Sequence, residues 1–289
     1  MSAKELGAAL LVPLIWGIQF VTTKVGVDSF PPLFFVALRF AGVAVLFLPF
    51  ARGASRREIL ACAVISVFFG GLCFGLTFAG IHLGTAGIAA VMAQLMAPFT
   101  VLFAWPLLGE KPTGQVFFGL MIAFLGVALA MADPGAGVPV AAALLVLGGA
   151  AAQGLGNVLA KRLGPIPPMR LMAWLSIFTV PETLLASSLL ETGQWQAVRQ
   201  ADLAAWGSLA YATLLGAGVG FALWFWLLGR LPMSRVAPFA LLQTVVAMAL
   251  GVVAMGDQVT LSLVLGALLC LSGVLLTQIT LRRKGRAEA

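Results

Sequence analysis

The sequence predicts an all-α polytopic membrane protein: ten transmembrane helices, arranged as two inverted five-helix repeats with both termini in the cytoplasm. Three observations carry this expectation. The 289 residues are 61% hydrophobic and only 9% charged, with a mean hydropathy of +1.07, which is outside the range of soluble domains. Apolar segments long enough to cross a hydrocarbon core follow one another with short polar breaks. The second half of the chain then repeats the motifs of the first.

The segments fall at 5–25, 32–50, 57–79, 84–106, 113–131, 139–161, 168–190, 203–228, 233–254 and 260–281. The breaks between them are turn chemistry or charge, such as Asp28–Pro32, Arg52–Arg57, Lys161–Pro168 and Glu191–Asp202. The first run follows Lys4. It exceeds a signal-peptide core and holds Trp16 and Gln19, so it reads as a retained span. With the N-terminus inside, 14 of the 17 Lys and Arg face the cytoplasm, while Asp28, Asp133, Glu191, Asp202 and Asp257 face outward. The net charge of +7 is therefore a topology signal and not a nucleic-acid footprint. Cys62, Cys73 and Cys270 lie in apolar segments, so no structural disulfide is expected.

FVTTKVG…FPPLFF near 20–35 is answered by NVLAKRLG…IPPMRL near 157–171, with Lys24 and Lys161 each preceding a Pro-Pro pair. Gly109–Glu110 matches Gly256–Asp257, and Gly119 and Gly126 match Gly266 and Gly273. The expected repeats are 1–133 and 134–289. Each holds an odd number of spans, so the second must insert upside down. That is the usual frame of alternating-access transporters, with the site near the midplane.

On the motifs WGIQFVTTKVG, FPPLFFVALRF, GIHLGTAGIAAVMAQLMAPF and LLGEKPTGQVFFGLMIAFLGVAL, with their second-half counterparts, the chain resembles the EamA family of the drug/metabolite transporter superfamily. The resemblance runs from Leu6 to Leu281. It implies a small-molecule exporter of the bacterial inner membrane, without cofactor. It also implies a central cavity ringed by spans 1, 3, 4, 6, 8 and 9, with spans 5 and 10 peripheral. A chain carrying both repeats can act alone, so a monomer among lipid suffices.

Candidate binding residues follow from placement. In span 1, Trp16, Gln19, Phe20 and Thr23 form one helical stripe that mixes aromatic and polar groups; its alternative use is inter-helix hydrogen bonding. In span 3, Phe74, Phe78 and His82 share a face. Span 4 carries Gln94 between Met92 and Met96, and Pro98 deprives the Gln94 carbonyl of its helical donor. Span 6 presents Gln153 and Asn157, which answer Trp16 and Phe20 in the other repeat. Span 9 offers Phe239 and Gln243 beside Pro238, an echo of the Gln94–Pro98 pair. Tyr211 of span 8 completes the set, while Trp224, Phe225 and Trp226 read as an interfacial aromatic belt.

Two charges sit deep. Arg39 belongs to the family's LRF motif, which implies a structural role against backbone carbonyls. Glu182, with His82, is a candidate for proton coupling; its alternative is a locally satisfied acid. Span 1 carries no deep acid, which argues against the proton-coupled multidrug exporters, and few deep bases argue against phosphate-bearing substrates. The expected cargo is thus a small neutral or amphipathic metabolite, with aromatic or large neutral amino acids favoured. A multidrug or cationic-compound exporter and a channel are the alternatives. An enzyme is not expected, because the chain has one His, no metal-ligand spacing and no titratable cluster at membrane depth.

Overall fold

The computed structural model describes residues 1–131, 139–231, 233–258 and 260–287, without the side chains of 233, 234, 237 and 279–287. The expected repeat boundary at 133/134, Asp133 and the side chains of the basic C-terminal cluster lie outside the described residues. Every regular element described is helical. Among the described residues, ten helices are long and apolar enough to span a bilayer: Ala3–Ser29, Pro32–Ala51, Arg56–Leu83, Ala86–Leu108, Gly114–Met131, Val140–Leu163, Pro168–Leu190, Leu203–Leu228, Pro238–Met255 and Leu261–Gln278, numbered here as spans 1 to 10. A short helix not anticipated from the sequence, Gln194–Gln200, lies between spans 7 and 8.

The two Pro-Pro pairs start spans 2 and 7, because proline is tolerated in a helix's first turn, where its missing N–H costs nothing. The carboxylate of Glu191 accepts the first amides of span 2, at 2.7 Å from Leu33 and 3.1 Å from Phe34. Spans 4 and 9 end alike. Gly109 (φ 74°) and Gly256 (φ 71°) both adopt left-handed backbone. The following residues, Glu110 and Asp257, each donate their N–H to a carbonyl six residues back, at 3.3 and 3.1 Å.

Packing follows a two-fold pattern. Span 2 lies on span 7, and span 5 on span 10. The pairs 3–6 and 4–6 recur as 8–1 and 9–1. This is the pattern that two five-helix repeats give when each wraps around the other. Spans 5 and 10 meet backbone to backbone at their four glycines. A Cβ on Gly126 would sit 2.3 Å from the amide nitrogen of Cys270, and one on Gly273 would sit 2.4 Å from that of Ala123. Spans 3 and 8, matching members of the two repeats, both widen into π-helix, at Ser66–Leu72 and Tyr211–Val219.

Candidate functional site

A cavity of about 350 Å³ lies between the repeats, lined by residues of spans 1, 2, 3, 4, 6, 8, 9 and 10. Its walls are largely aromatic and apolar, with a few amides and hydroxyls, the usual make-up of a small-molecule pocket.

Span 1 supplies Trp16, Gln19, Phe20 and Thr23 to the wall. The stripe is held against span 8 by two glycines. The Trp16 Nε1–H donates to the Gly216 carbonyl at 3.0 Å, and a Cβ on Gly216 would reach within 2.1 Å of the Gln19 Oε1. The Trp16 ring then meets Phe221 at 5.4 Å and Trp224 at 5.5 Å between centroids. Trp224 therefore belongs to the cavity wall and not to an interfacial belt. Phe221 joins it, one helical turn away on the same face.

Span 4 breaks at cavity depth. Its helix runs Ala86–Ala93, stops at Gln94 and Leu95, and resumes at Met96–Leu108. The Gln94 carbonyl, expected to lack a donor, accepts the Ala97 N–H at 3.3 Å instead. The turn tightens from i+4 to i+3 bonding, which absorbs the donor that Pro98 lacks. Span 9 breaks at Leu241, the position that answers Gln94 when Gly109–Glu110 is matched to Gly256–Asp257. There Pro238 precedes the break, and its carbonyl accepts the Leu241 N–H at 3.3 Å. The two broken helices are joined directly beside the cavity, where Gln94 Nε2–H donates to the buried Thr244 Oγ1 at 2.7 Å.

Gln94, Met96, Phe74, Phe78, Gln153, Asn157 and Gln243 also face the cavity. Asn157 donates to Thr100 Oγ1 at 3.3 Å, whereas the side-chain amides of Gln153 and Gln243 have no protein partner among the described residues. Other candidates fall outside. Met92 is buried in the seal beyond the cavity. Tyr211 spends its hydroxyl on the Ile15 carbonyl at 3.1 Å, and Phe239 packs with the core around Leu227. His82 lies at the chain's Lys24 end, half exposed, with Nδ1 3.3 Å from the Asp28 carboxylate; one turn beyond Phe78 carries it past the cavity. Glu182 sits at the seam of spans 3 and 7, where its Oε1 accepts the Ser66 hydroxyl at 2.6 Å. Among the described residues, no group of His, Cys, Asp or Glu is placed to hold a metal ion.

The two ends of the cavity differ. Toward Lys24, residues Ala86 to Met92 of span 4 are all buried, and span 1 packs on span 3. Lys24 Nζ bonds Asp28 at 2.9 Å and the His82 carbonyl at 2.8 Å, which pins that seam. The Asp257 carboxylate lies over the start of span 4, near Gly87, Gly251 and Lys24; burial raises its pKa above the ordinary carboxylate value, while the Gly87 amide and Lys24 oppose the shift. Toward Lys161, by contrast, only Pro98 and Ala104 of the second half of span 4 are buried. The matching seam of spans 6 and 8 makes no comparable contact, and the lining reaches Asn157, Trp224, Ala240 and Gln278. The cavity is thus sealed at the Lys24 end and extends toward the Lys161 end.

Sequence reasoning missed one wall residue of different chemistry. Arg39 of span 2 lines the cavity, and its guanidinium lies 4.3 Å from the Phe74 ring centroid. Its Nε–H does donate to a backbone carbonyl, that of Ala212 at 3.3 Å. The LRF motif and the polar depth of the residue were visible in the sequence, but nothing there showed that the guanidinium would reach the cavity.

Comparison with known proteins gives a consistent picture. The profile of the EamA-like transporter family matches residues 3–132 and 140–279. A probable amino-acid metabolite efflux pump of Salmonella typhimurium is 31% identical over 95% of this chain and 94% of its own. One of the same description from Escherichia coli K12 is 30% identical, covering 98% and 97%. An uncharacterized inner membrane transporter of Escherichia coli K12 is 24% identical over 85% and 81%. A protein of known crystal structure shares the fold with a TM-score of 0.62 at 20% identity, over 96% of this chain and 98% of that one.

Proposed function

The chain belongs to the EamA-like transporter family, and from that premise we propose that it exports amino acids or closely related metabolites by alternating access, with aromatic or large neutral side chains preferred. It is a multi-pass protein of the bacterial inner membrane and a transporter, not an enzyme. The observation that carries the proposal is the cavity: midway along the spans, between two repeats, bounded by two helices broken at matching positions, and sealed at one end only. A site of this volume suits one small metabolite, and Trp16, Phe20, Phe74, Phe78 and Trp224 offer faces on which an aromatic or branched body can stack. The charge distribution orients the chain with its termini and the Lys161 end in the cytoplasm, so the cavity in this conformation receives cargo from inside. The repeat boundary lies near residue 133, and one copy suffices.

The relatives named as amino-acid metabolite efflux pumps favour this cargo over cationic drugs. The cavity wall points the same way, since none of the described residues that line it carries a carboxylate to attract a cation. The test is uptake into inverted vesicles by Trp16→Ala, Phe78→Ala and Gln94→Ala proteins, each checked for expression. Loss of transport, or a raised KM, in these variants supports the assignment. Unchanged transport in all three rejects this cavity as the substrate site.

A further inference from the structure

We propose that Arg39 is the carboxylate receptor of the cavity, and that the cargo is defined by a carboxylate carried on an apolar or aromatic body. The inference rests on the cavity's being the substrate site. It goes further by naming the group that is recognised and the residue that recognises it.

A guanidinium at membrane depth is expensive unless it meets an anion or several acceptors. Arg39 is 2% exposed. Its protein interactions amount to one hydrogen bond to the Ala212 carbonyl, with Nη1 buried and unpartnered, and no ion pair among the described residues. The rings of Phe40, Phe74 and Phe78 surround it at 5.3, 4.3 and 5.7 Å from Cζ. Aromatic faces offset part of the desolvation but leave the fork's remaining donors unsaturated. Yet the residue lines the cavity, and it is the one charged side chain among the described residues that do. An anion entering the cavity therefore meets a single partner.

The chemistry of that partner selects the ligand. A planar guanidinium fits the two oxygens of a carboxylate, as a bidentate charge-assisted pair in a dry site. A phosphate dianion would need a second cation, and none lines the wall among the described residues; a bare organic cation would find amide oxygens and ring faces but no counter-charge to offset Arg39. The rings of Phe74 and Phe78 pack beside the guanidinium, so the carbon body of a bound carboxylate falls against aromatic surface. The unpartnered amide oxygens of Gln153 and Gln243 are available to an ammonium group on the same molecule. A structural role for Arg39 accounts for the bond to Ala212 but not for an unpartnered donor beside the cavity.

The test is ligand-dependent thermal stabilisation of the full-length protein in detergent, read as apparent Kd. The probes are phenylalanine against phenylalaninamide, leucine against leucinamide, and 3-phenylpropionate, which keeps the carboxylate and lacks the amine. In the wild type each acid is expected to bind at least about tenfold tighter than its carboxamide, because a site built around a charge-assisted pair rejects the analogue that cannot complete it. Arg39→Gln should bring acid and carboxamide together, and Arg39→Lys, which keeps the charge without the fork, should fall between. If Arg39→Gln does not fold, the wild-type pairs and Arg39→Lys still decide. Equal binding of acid and carboxamide by the wild type, or an undiminished preference in Arg39→Lys and Arg39→Gln, overturns the inference. Amino acids that bind wild type and Arg39→Gln alike would leave the amino-acid reading standing and remove Arg39 from it. Arg39-dependent stabilisation by 3-phenylpropionate with none by amino acids would do the reverse. No stabilisation by any probe rejects both.

Discussion

Replacing Gly220 by alanine tests whether Trp16 forms a wall of the working cavity. A Cβ at Gly220 would stand 2.6 Å from the Trp16 Nε1, about 0.8 Å inside the 3.4 Å at which ordinary contact begins. The indole cannot retreat freely. Its Nε1–H is held by the Gly216 carbonyl at 3.0 Å, and its ring by Phe221 and Trp224. Relief therefore costs the hydrogen bond, the ring contacts or a local separation of spans 1 and 8. Overpacking of this kind costs about 1–3 kcal/mol. If the strain falls on the bound geometry, KM for an aromatic substrate rises by roughly 5- to 150-fold, at tenfold per 1.4 kcal/mol. The assay is substrate counterflow in proteoliposomes over a concentration series, with melting of the same preparation to show that the fold survives. A variant that folds and keeps the wild-type KM would refute the placement of Trp16 against the substrate.

Gly126→Ala should destabilise by several kcal/mol, because its Cβ would meet backbone atoms of Cys270 and Gly266 at 2.3 and 2.6 Å, and backbone cannot swing aside; a melting curve unchanged from wild type would contradict the seam of spans 5 and 10. Glu110→Gln should cost less than about 1 kcal/mol, since its ion pair with Lys161 is 49% and 63% exposed; a loss of several kcal/mol would show that the pair is buried in the working protein. The Asp257 carboxyl has a raised pKa in the sealed arrangement and, by expectation, an ordinary one when that end opens. The sealed form then binds more protons between the two values, so it is favoured as pH falls through the window above the ordinary carboxylate pKa and loses that advantage as pH rises. Labelling of a cysteine introduced at Gly84 should slow on acidification after correction for thiolate content, and Asp257→Asn should abolish that dependence; equal dependence in both proteins would remove Asp257 from it.

The fold was legible because the bilayer leaves little choice. Spans 2 and 7 could be placed by their Pro-Pro starts, and spans 4 and 9 by the Gly-acid pairs that end them. The glycines at 119, 126, 266 and 273 marked the seam of spans 5 and 10, where backbone meets backbone. The site was harder to read. Periodicity shows which residues share a face, so the stripe from Trp16 to Thr23 could be drawn, but not which neighbour each member faces. Trp16 and Gln19 turn out to be partly spent on Gly216 and Gly220 of span 8. His82 lay on the same face as Phe78, yet the extra turn carried it past the cavity to Asp28. The loosened Gln94 carbonyl was a correct statement about an α-helix and did not hold for a helix that tightens into a 3₁₀ turn. Arg39 was displaced by an expectation about which helices ring the cavity, because a long side chain reaches across a distance that helix assignment does not reveal.

The most direct test of alternating access on amino-acid cargo is counterflow in liposomes containing only the purified protein, with labelled phenylalanine and threonine and an amine drug, with and without a pH gradient. Saturable exchange of phenylalanine, trans-stimulated by unlabelled phenylalanine and needing no gradient, is the expected result. Flux that rises linearly with concentration, or movement of the drug with none of the amino acids, would contradict the account.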